Sequence, residues 1–424
     1  MTDVDTPERG AATGTGDRSR PRAALPALCV TQIASWGIVY YAFPVLNPQI
    51  TTATGWPAGA TTAAFSAALL VSAVAGIRVG RIIDRHGPRT VMTMGSVVGV
   101  LSILIVASAP NLPVFIAGWL LAGLAMAGTF YQPAFAALTR WWAPDHVRAL
   151  TIVTLAGGLA STVFAPLTAA LAGHLSWRTT YAVLALVLAG VTIPVHAFAL
   201  KAPWPQPQIS TAPATAGCTD QVARTRPFWM LAATLTLSAF TVSAAVIALV
   251  PLMAERGYTS TQAAWALGLG GAGQTLGRTL YATLARHTSP TSRTVTLVAL
   301  GALTTAALAL TPGPYALLVA LSVAAGTVRG NLTLLQATAV TDRWGTTHYG
   351  RLSGLLAAPT TTAAAIAPFA GAVLAAPLGG YPQLFIALAA VSTAACITAL
   401  KSARAGGQVA ACRGAPRKQE RERP

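Results

Sequence analysis

Two arginines, Arg278 in "GQTLGRTLY" and Arg329 in "GTVRGNLTL", stand inside long apolar runs, away from any acidic residue. Arg278 lies eight residues before Arg286, and Arg329 fourteen before Arg343, so on helices they sit about 12 Å and about 21 Å from the charged edges of their segments. A charge at bilayer depth costs roughly 3 kcal/mol or more unless it faces a bundle interior or a watery cavity, which makes each arginine a candidate site. None of the 11 Asp and Glu residues falls at such depth. Two deep guanidiniums without a deep carboxylate make a positive cavity, and an anionic solute held by charge-assisted hydrogen bonds neutralises it. The alternative for Arg278 is a hydrogen bond to backbone carbonyls of a broken neighbouring helix. Arg329, flanked by Gly326, Gly330 and Asn331, divides evenly between substrate or gating and structural roles. Arg78, near a segment end, is expected to snorkel to the headgroups.

Polar and aromatic side chains that could line the same cavity are Gln32, Ser35, Trp36, Tyr40, Tyr41 and Asn47 in the first apolar segment and Tyr131 and Gln132 in the fourth. An interfacial aromatic belt is the ordinary alternative for such tyrosines, but Tyr40 and Tyr41 fall near mid-segment. His196 in the sixth apolar segment could carry a proton, but a lone histidine in a helix more often hydrogen-bonds a neighbour. Cys29, Cys218, Cys396 and Cys412 are widely separated, so neither a metal site nor a disulfide is predicted. No cofactor motif is present, and no nucleophile, metal cluster or acid–base pair at depth suggests an enzyme.

These residues are carried on a chain that is 54% hydrophobic and only 9% charged, with a mean hydropathy of +0.59, the composition of an integral membrane protein. Apolar stretches long enough to cross about 30 Å of hydrocarbon recur twelve times, at 24–49, 58–80, 88–108, 112–139, 147–172, 179–200, 227–253, 261–285, 293–311, 315–341, 350–375 and 383–402. The net charge of +17 could suggest nucleic acid. Its distribution argues otherwise, because with both termini cytoplasmic only Arg178 and Arg256 lie outside and Arg78, Arg278 and Arg329 lie within helices, the positive-inside pattern. Residues 1–23 lack the apolar core of a secretory signal, so the first helix is expected to insert uncleaved.

The predicted organisation is a cytoplasmic tail (1–23), a six-helix bundle (24–200), a polar cytoplasmic linker (201–226), a second six-helix bundle (227–402) and a basic tail (403–424). The halves read as copies. Setting residue n beside n+203 aligns "TRWW" (139–142) with "DRWG" (342–345), Gly123 with Gly326 and Arg148 with Arg351; a one-residue slip then places Ala165 on Ala367 and Pro166 on Pro368. Two similar bundles related by an axis along the membrane normal leave a central cavity that rocking exposes to each side in turn.

The loop "GRIIDRHGPR", with Gly80, Asp84, Arg85, Gly87 and Arg89, resembles the signature between the second and third helices of the major facilitator superfamily. Pro88 in place of the first closing arginine, "WWAPDHVRAL" after the fourth helix and "SWRTTY" before the sixth resemble its monocarboxylate and oxalate/formate branches. The resemblance implies an all-α fold of twelve transmembrane helices in two pseudo-symmetric bundles. It implies a cytoplasmic latch in which Asp84 bonds a helix N-terminus of the other bundle and lets go as the bundles rock. It also implies that Arg278 binds a substrate carboxylate. Departures are the uncharged fourth helix, the missing lysine in the eleventh, and His287 or Arg286 where the second-half counterpart of Asp84 would stand. Pro166 and Pro368 are expected kinks.

The expected function is secondary transport of a small, monocarboxylate-like organic anion by alternating access, with a co-transported proton or a counter-anion. The protein is placed as a monomer in the cell membrane, with no nucleic-acid partner. The alternative is an efflux pump for a neutral or amphipathic drug or secondary metabolite.

Overall fold

The computed structural model describes residues 21–142, 146–204, 222–344 and 349–405. The N-terminal tail to residue 20, most of the linker 201–226, the basic tail beyond 405 and the side chain of Asp84 lie outside the described residues, and with them the predicted latch.

Among the described residues twelve long helices follow one another: α1 (Ala24–Thr54), α2 (Ala58–His86), α3 (Pro88–Ser108), α4 (Leu112–Trp141), α5 (Arg148–Ala172), α6 (Trp177–Ala199), α7 (Arg226–Glu255), α8 (Ser260–His287), α9 (Pro290–Leu310), α10 (Tyr315–Thr338), α11 (Tyr349–Leu378) and α12 (Tyr381–Ala405). Among the described residues there is no strand. Polar side chains fix several starts: Asn111 accepts from Val114 N, Ser176 from Thr179 N and Ser289 from Ser292 N, while Thr259 and Gln262 form a capping box at α8. Helix ends run past the apolar segments because hydropathy marks the hydrocarbon slab and not the end of hydrogen bonding. Most of the "GRIIDRHG" stretch is thus the last turns of α2, and the chain turns only at Gly87, whose φ of 80° suits glycine.

Eleven of these helices are apolar and long enough to span a membrane. The twelfth, α8, is poorer in apolar residues because glycine occupies its packing faces. A Cβ on Gly270, Gly273 or Gly277 would strike the backbone of α10 at Ser322, Val323 or Thr327, and one on Gly326 or Gly330 would strike α8. Without a hydrophobic drive between helices in lipid, such close backbone approach supplies the association energy by dispersion. The glycines beside Arg329 therefore serve helix crossing.

The helix pairs α2–α4, α3–α4, α3–α6, α1–α5 and α1–α6 recur in the second half as α8–α10, α9–α10, α9–α12, α7–α11 and α7–α12, the arrangement a duplicated six-helix unit produces. Two symmetry-related seams join the halves, α5 against α8 and α2 against α11. In the first, Thr162 Oγ1 donates to Gly268 O at 2.8 Å, and Pro166 packs on Gly268. In the second, α11 runs on through Pro368, and the next amide, Phe369 N–H, donates across the seam to Ser66 Oγ at 3.0 Å. Gly59 also meets Val373 there. Toward the face bearing Arg81, Arg85 and Arg89, here the basic face, Gly80 of α2 and Gly354 of α11 instead border open space.

Candidate functional site

Two local irregularities shape the centre of the molecule. A π-helical turn at Gly37–Tyr41 widens α1, and a Cβ on Gly37 would collide with the Phe164 ring of α5, so glycine is required where α1 bulges. The second is a break in α4 at Phe130, whose backbone is extended between Leu112–Thr129 and Tyr131–Trp141. The freed carbonyls cannot turn to lipid. Gln32 satisfies them, its Nε2 donating to Thr129 O at 2.6 Å and to Phe130 O at 3.3 Å, while its Oε1 accepts from Trp36 Nε1 at 3.2 Å. One buried amide thus holds both the break and the indole.

Around these irregularities lies a cavity of about 330 Å³ between the bundles, with Trp36, Tyr40, Phe130, Tyr131 and Gln132 on one wall and Ser243, Thr361 and Ala365 on the other. The aromatic wall is continuous: Trp36 stacks on Phe130 at 4.0 Å between centroids, with Tyr131 at 5.1 Å and Tyr40 at 5.4 Å. A cleft of about 410 Å³ continues from Gln132 past Gly76 and Gly80 to Arg81 on the basic face. This cleft is lined by α2 and α4 alone, while Ser66–Phe369 and Gly59–Val373 join the bundles on the other side.

Of the residues predicted to bind substrate, Tyr40, Tyr131 and Gln132 line this cavity. Gln32 is wholly buried as a backbone clamp, and Tyr41 is buried against Tyr40 at 5.0 Å. Asn331 lies at the α8–α10 crossing, its Nδ2 donating to Thr327 O at 3.0 Å. Arg278 is 4% exposed at the α5–α8 seam, where its Nη1 donates to Thr154 O; its Nε has no partner. The arrangement foreseen as the alternative, a guanidinium bonded to a carbonyl of an interrupted helix, is thus partly realised, since α5 is interrupted at Leu159. Arg278 nevertheless stands beside the cavity wall: the Tyr131 hydroxyl packs on Gly157 of α5 and the Arg278 guanidinium on the adjacent Gly158. Arg329 does not line this cavity but a second one inside the C-terminal bundle. His196 sits 2.8 Å from Ser96 Oγ inside the N-terminal bundle.

The loop motif is built into its own bundle. Gly87 packs on Trp204, Arg89 Nε donates to Ala197 O at 2.8 Å, and Arg85 is exposed. Arg140 lies over the Trp204 ring, whose centroid is 4.8 Å from its Cζ. In the second half Arg293 pairs with Asp342, and Arg343 Nη2 donates to Thr294 Oγ1 at 2.7 Å, so the acid of that half comes from the loop after α10.

Sequence reasoning gave no role to Phe130, Ser243 or Thr361. For Ser243 a signal existed, because it is the residue 203 positions after Tyr40, the same offset that aligns the two halves.

Comparison with known proteins agrees with this architecture. Residues 28–335 match the family described as Major Facilitator Superfamily. The chain belongs to that superfamily. It is a multi-pass membrane protein of that transporter superfamily. An uncharacterized MFS-type transporter, YcxA of Bacillus subtilis (strain 168), is 31% identical over 148 residues, which is 34% of this chain and 35% of that protein. An uncharacterized 38 kDa protein in the 23S RNA operon of Thermoproteus tenax is 31% identical over 134 residues, 32% of this chain and 36% of that one. The chain thus matches about a third of the length of these relatives. Among solved structures, a bacterial homologue of the human lysosomal transporter Spinster, inward-facing and occupied, superposes with a TM-score of 0.71 at 14% identity, covering 92% of this chain and 98% of that one. A mutant of the nucleoside transporter NupG gives 0.68 at 14% identity, covering 90% and 99%. At such identity the likeness concerns the fold alone.

Proposed function

We propose that this transporter moves a small amphipathic organic anion, a carboxylate on an apolar or aromatic body, by rocking its bundles about the central cavity. The observation that carries this reading is the Tyr131 ring on the cavity wall with its hydroxyl against Gly157 and the Arg278 guanidinium against the adjacent Gly158, the Arg278 Nε unpartnered. Aromatic faces at Trp36, Tyr40 and Phe130 suit the apolar body of such a solute. The phenol would relay the buried positive charge to a carboxylate by a charge-assisted hydrogen bond. Glu255, at the end of α7, and Asp342, paired with Arg293, are the acids whose side chains are described, and neither faces the cavity. The positive-inside rule makes the basic face cytoplasmic in a cell membrane, so the open cleft faces inward. A proton carried on the substrate or a counter-anion would provide the coupling.

A second reading, export of a neutral amphipathic compound, is favoured by one feature: no charged side chain lines the cavity itself. Reconstituted proteoliposomes separate the two. Saturable uptake of labelled aromatic or aliphatic monocarboxylates is expected, falling about tenfold or more in Arg278→Gln, as loss of a hydrogen bond to a charged group implies. Carboxylate transport indifferent to that substitution, or transport of neutral compounds only, overturns the anion reading.

A further inference from the structure

The central cavity is not the only polar space in the membrane. Inside the C-terminal bundle, α7, α8, α9, α10 and α12 enclose a second cavity of about 70 Å³ that shares no lining residue with the first. Arg329, Ser322, Ser238 and Ser392 are on its wall. The guanidinium of Arg329 makes no hydrogen bond among the described residues, and its Nε and Nη2 are buried. Ser322 and Ser238, 3% and 7% exposed, have hydroxyls that are likewise buried without partners.

A helical serine ordinarily satisfies its hydroxyl on a carbonyl three or four residues back. Ser96, Ser102 and Ser108 do so here, as do Thr304 and Thr305 on the same cavity wall. Ser238 and Ser322 do not, so their protons remain available to a ligand.

Placement brings these groups together. Ser322 and Arg329 are seven residues apart on one face of α10, and helical side chains lean toward the N-terminus, which carries the Arg329 head toward Ser322. Ser238, twelve residues and about 18 Å into α7 from the basic face, lines the same cavity. A positive group and two uncommitted hydroxyls therefore bound one small, deep space. Burying them unpaired is costly, whereas an anion among them satisfies all three.

We propose that this cavity is a second anion site, distinct from the transport cavity, and that it takes a compact inorganic anion of the halide class. Size sets the class. A space of about 70 Å³ is about a fifth of the central cavity's 330 Å³, so of the two cavities this one suits the more compact anion. The site lies against Gly270 and Gly326, where α8 and α10 cross, so a bound halide braces the helix that also carries Arg278.

The test uses the purified full-length protein in detergent, titrated with sodium chloride or bromide against sodium gluconate at constant ionic strength, with the unfolding midpoint as readout. A saturable rise with halide, absent with gluconate, is expected. Ser238→Ala with Ser322→Ala keeps the charge and should weaken apparent halide affinity about tenfold or more, and Arg329→Gln should abolish the response. Crystals grown in bromide should show anomalous scattering beside Arg329. The proposal is overturned by a midpoint indifferent to halide, by a response that survives in Arg329→Gln, by bromide bound beside Arg278 instead, or by an organic carboxylate that competes for the site. Because the readout involves no transport, it stands or falls independently of the carboxylate assignment.

Discussion

Gln32 shows how a single buried amide can shape a transport site. Its Nε2 closes both carbonyls opened by the α4 break and its Oε1 orients Trp36, so the aromatic wall depends on a side chain that never reaches the cavity. Gln32→Leu should leave two carbonyls unpaired and destabilise the protein by about 1–3 kcal/mol, measured as a lower unfolding midpoint in detergent. Tyr131→Phe is the complementary change. It keeps the ring and removes only the hydroxyl that packs on Gly157, next to the Gly158 that meets Arg278, so half-saturation for carboxylate uptake should rise about tenfold with the midpoint unmoved. An unchanged half-saturation would place the anion elsewhere.

Among the elements, α8 is the least lipid-like and the most tightly held. Its glycines let it lie against α10 on one side and α5 on the other, where Gly271 and Gly268 meet Ser161 and Pro166. The crossings are backbone against backbone, so no rotamer change can accommodate an added methyl. Gly273→Val or Gly326→Val should therefore abolish recovery of monodisperse protein. Gly190→Ala in α6, where a Cβ meets nothing within 4 Å, should be neutral or slightly stabilising, as for alanine over glycine in any open helical position. Size-exclusion profiles of the three variants test the contrast.

For the molecule as a whole, the two seams make different demands on a rocking motion. The α2–α11 seam is held on one side by Gly59–Val373 and Ser66–Phe369, while Gly80 and Gly354 border open space on the basic side. In a background with the four native cysteines replaced by serine, Gly59→Cys with Val373→Cys should cross-link readily and block transport. Gly80→Cys with Gly354→Cys should cross-link only when the opposite state is populated, and a saturating transported substrate should change its rate. Equal rates for both pairs, with or without substrate, would contradict a rocking motion about these seams.

The all-helical membrane fold and eleven of the twelve expected spans were legible in the sequence because apolar length is a one-dimensional record of a bilayer's thickness. Tyr40, Tyr131 and Gln132 could be placed on the cavity because they are polar or amphipathic residues near mid-membrane. What a pattern of residue types cannot carry is the direction in which a side chain leaves a crossing. Arg278 and Arg329 look alike in sequence, yet one is drawn into the α5–α8 seam by a carbonyl and the other lines a space inside its own bundle. Gln32 and Asn331 look like cavity residues and are backbone partners, because a distorted or closely packed helix exposes carbonyls that hydropathy does not register. The sequence by itself thus determined that the chain spans a membrane as a duplicated helical unit. Only the tertiary structure decided which polar groups meet each other and which are left facing a cavity, since that depends on helix breaks, bulges and glycine-mediated approach among residues distant in the chain.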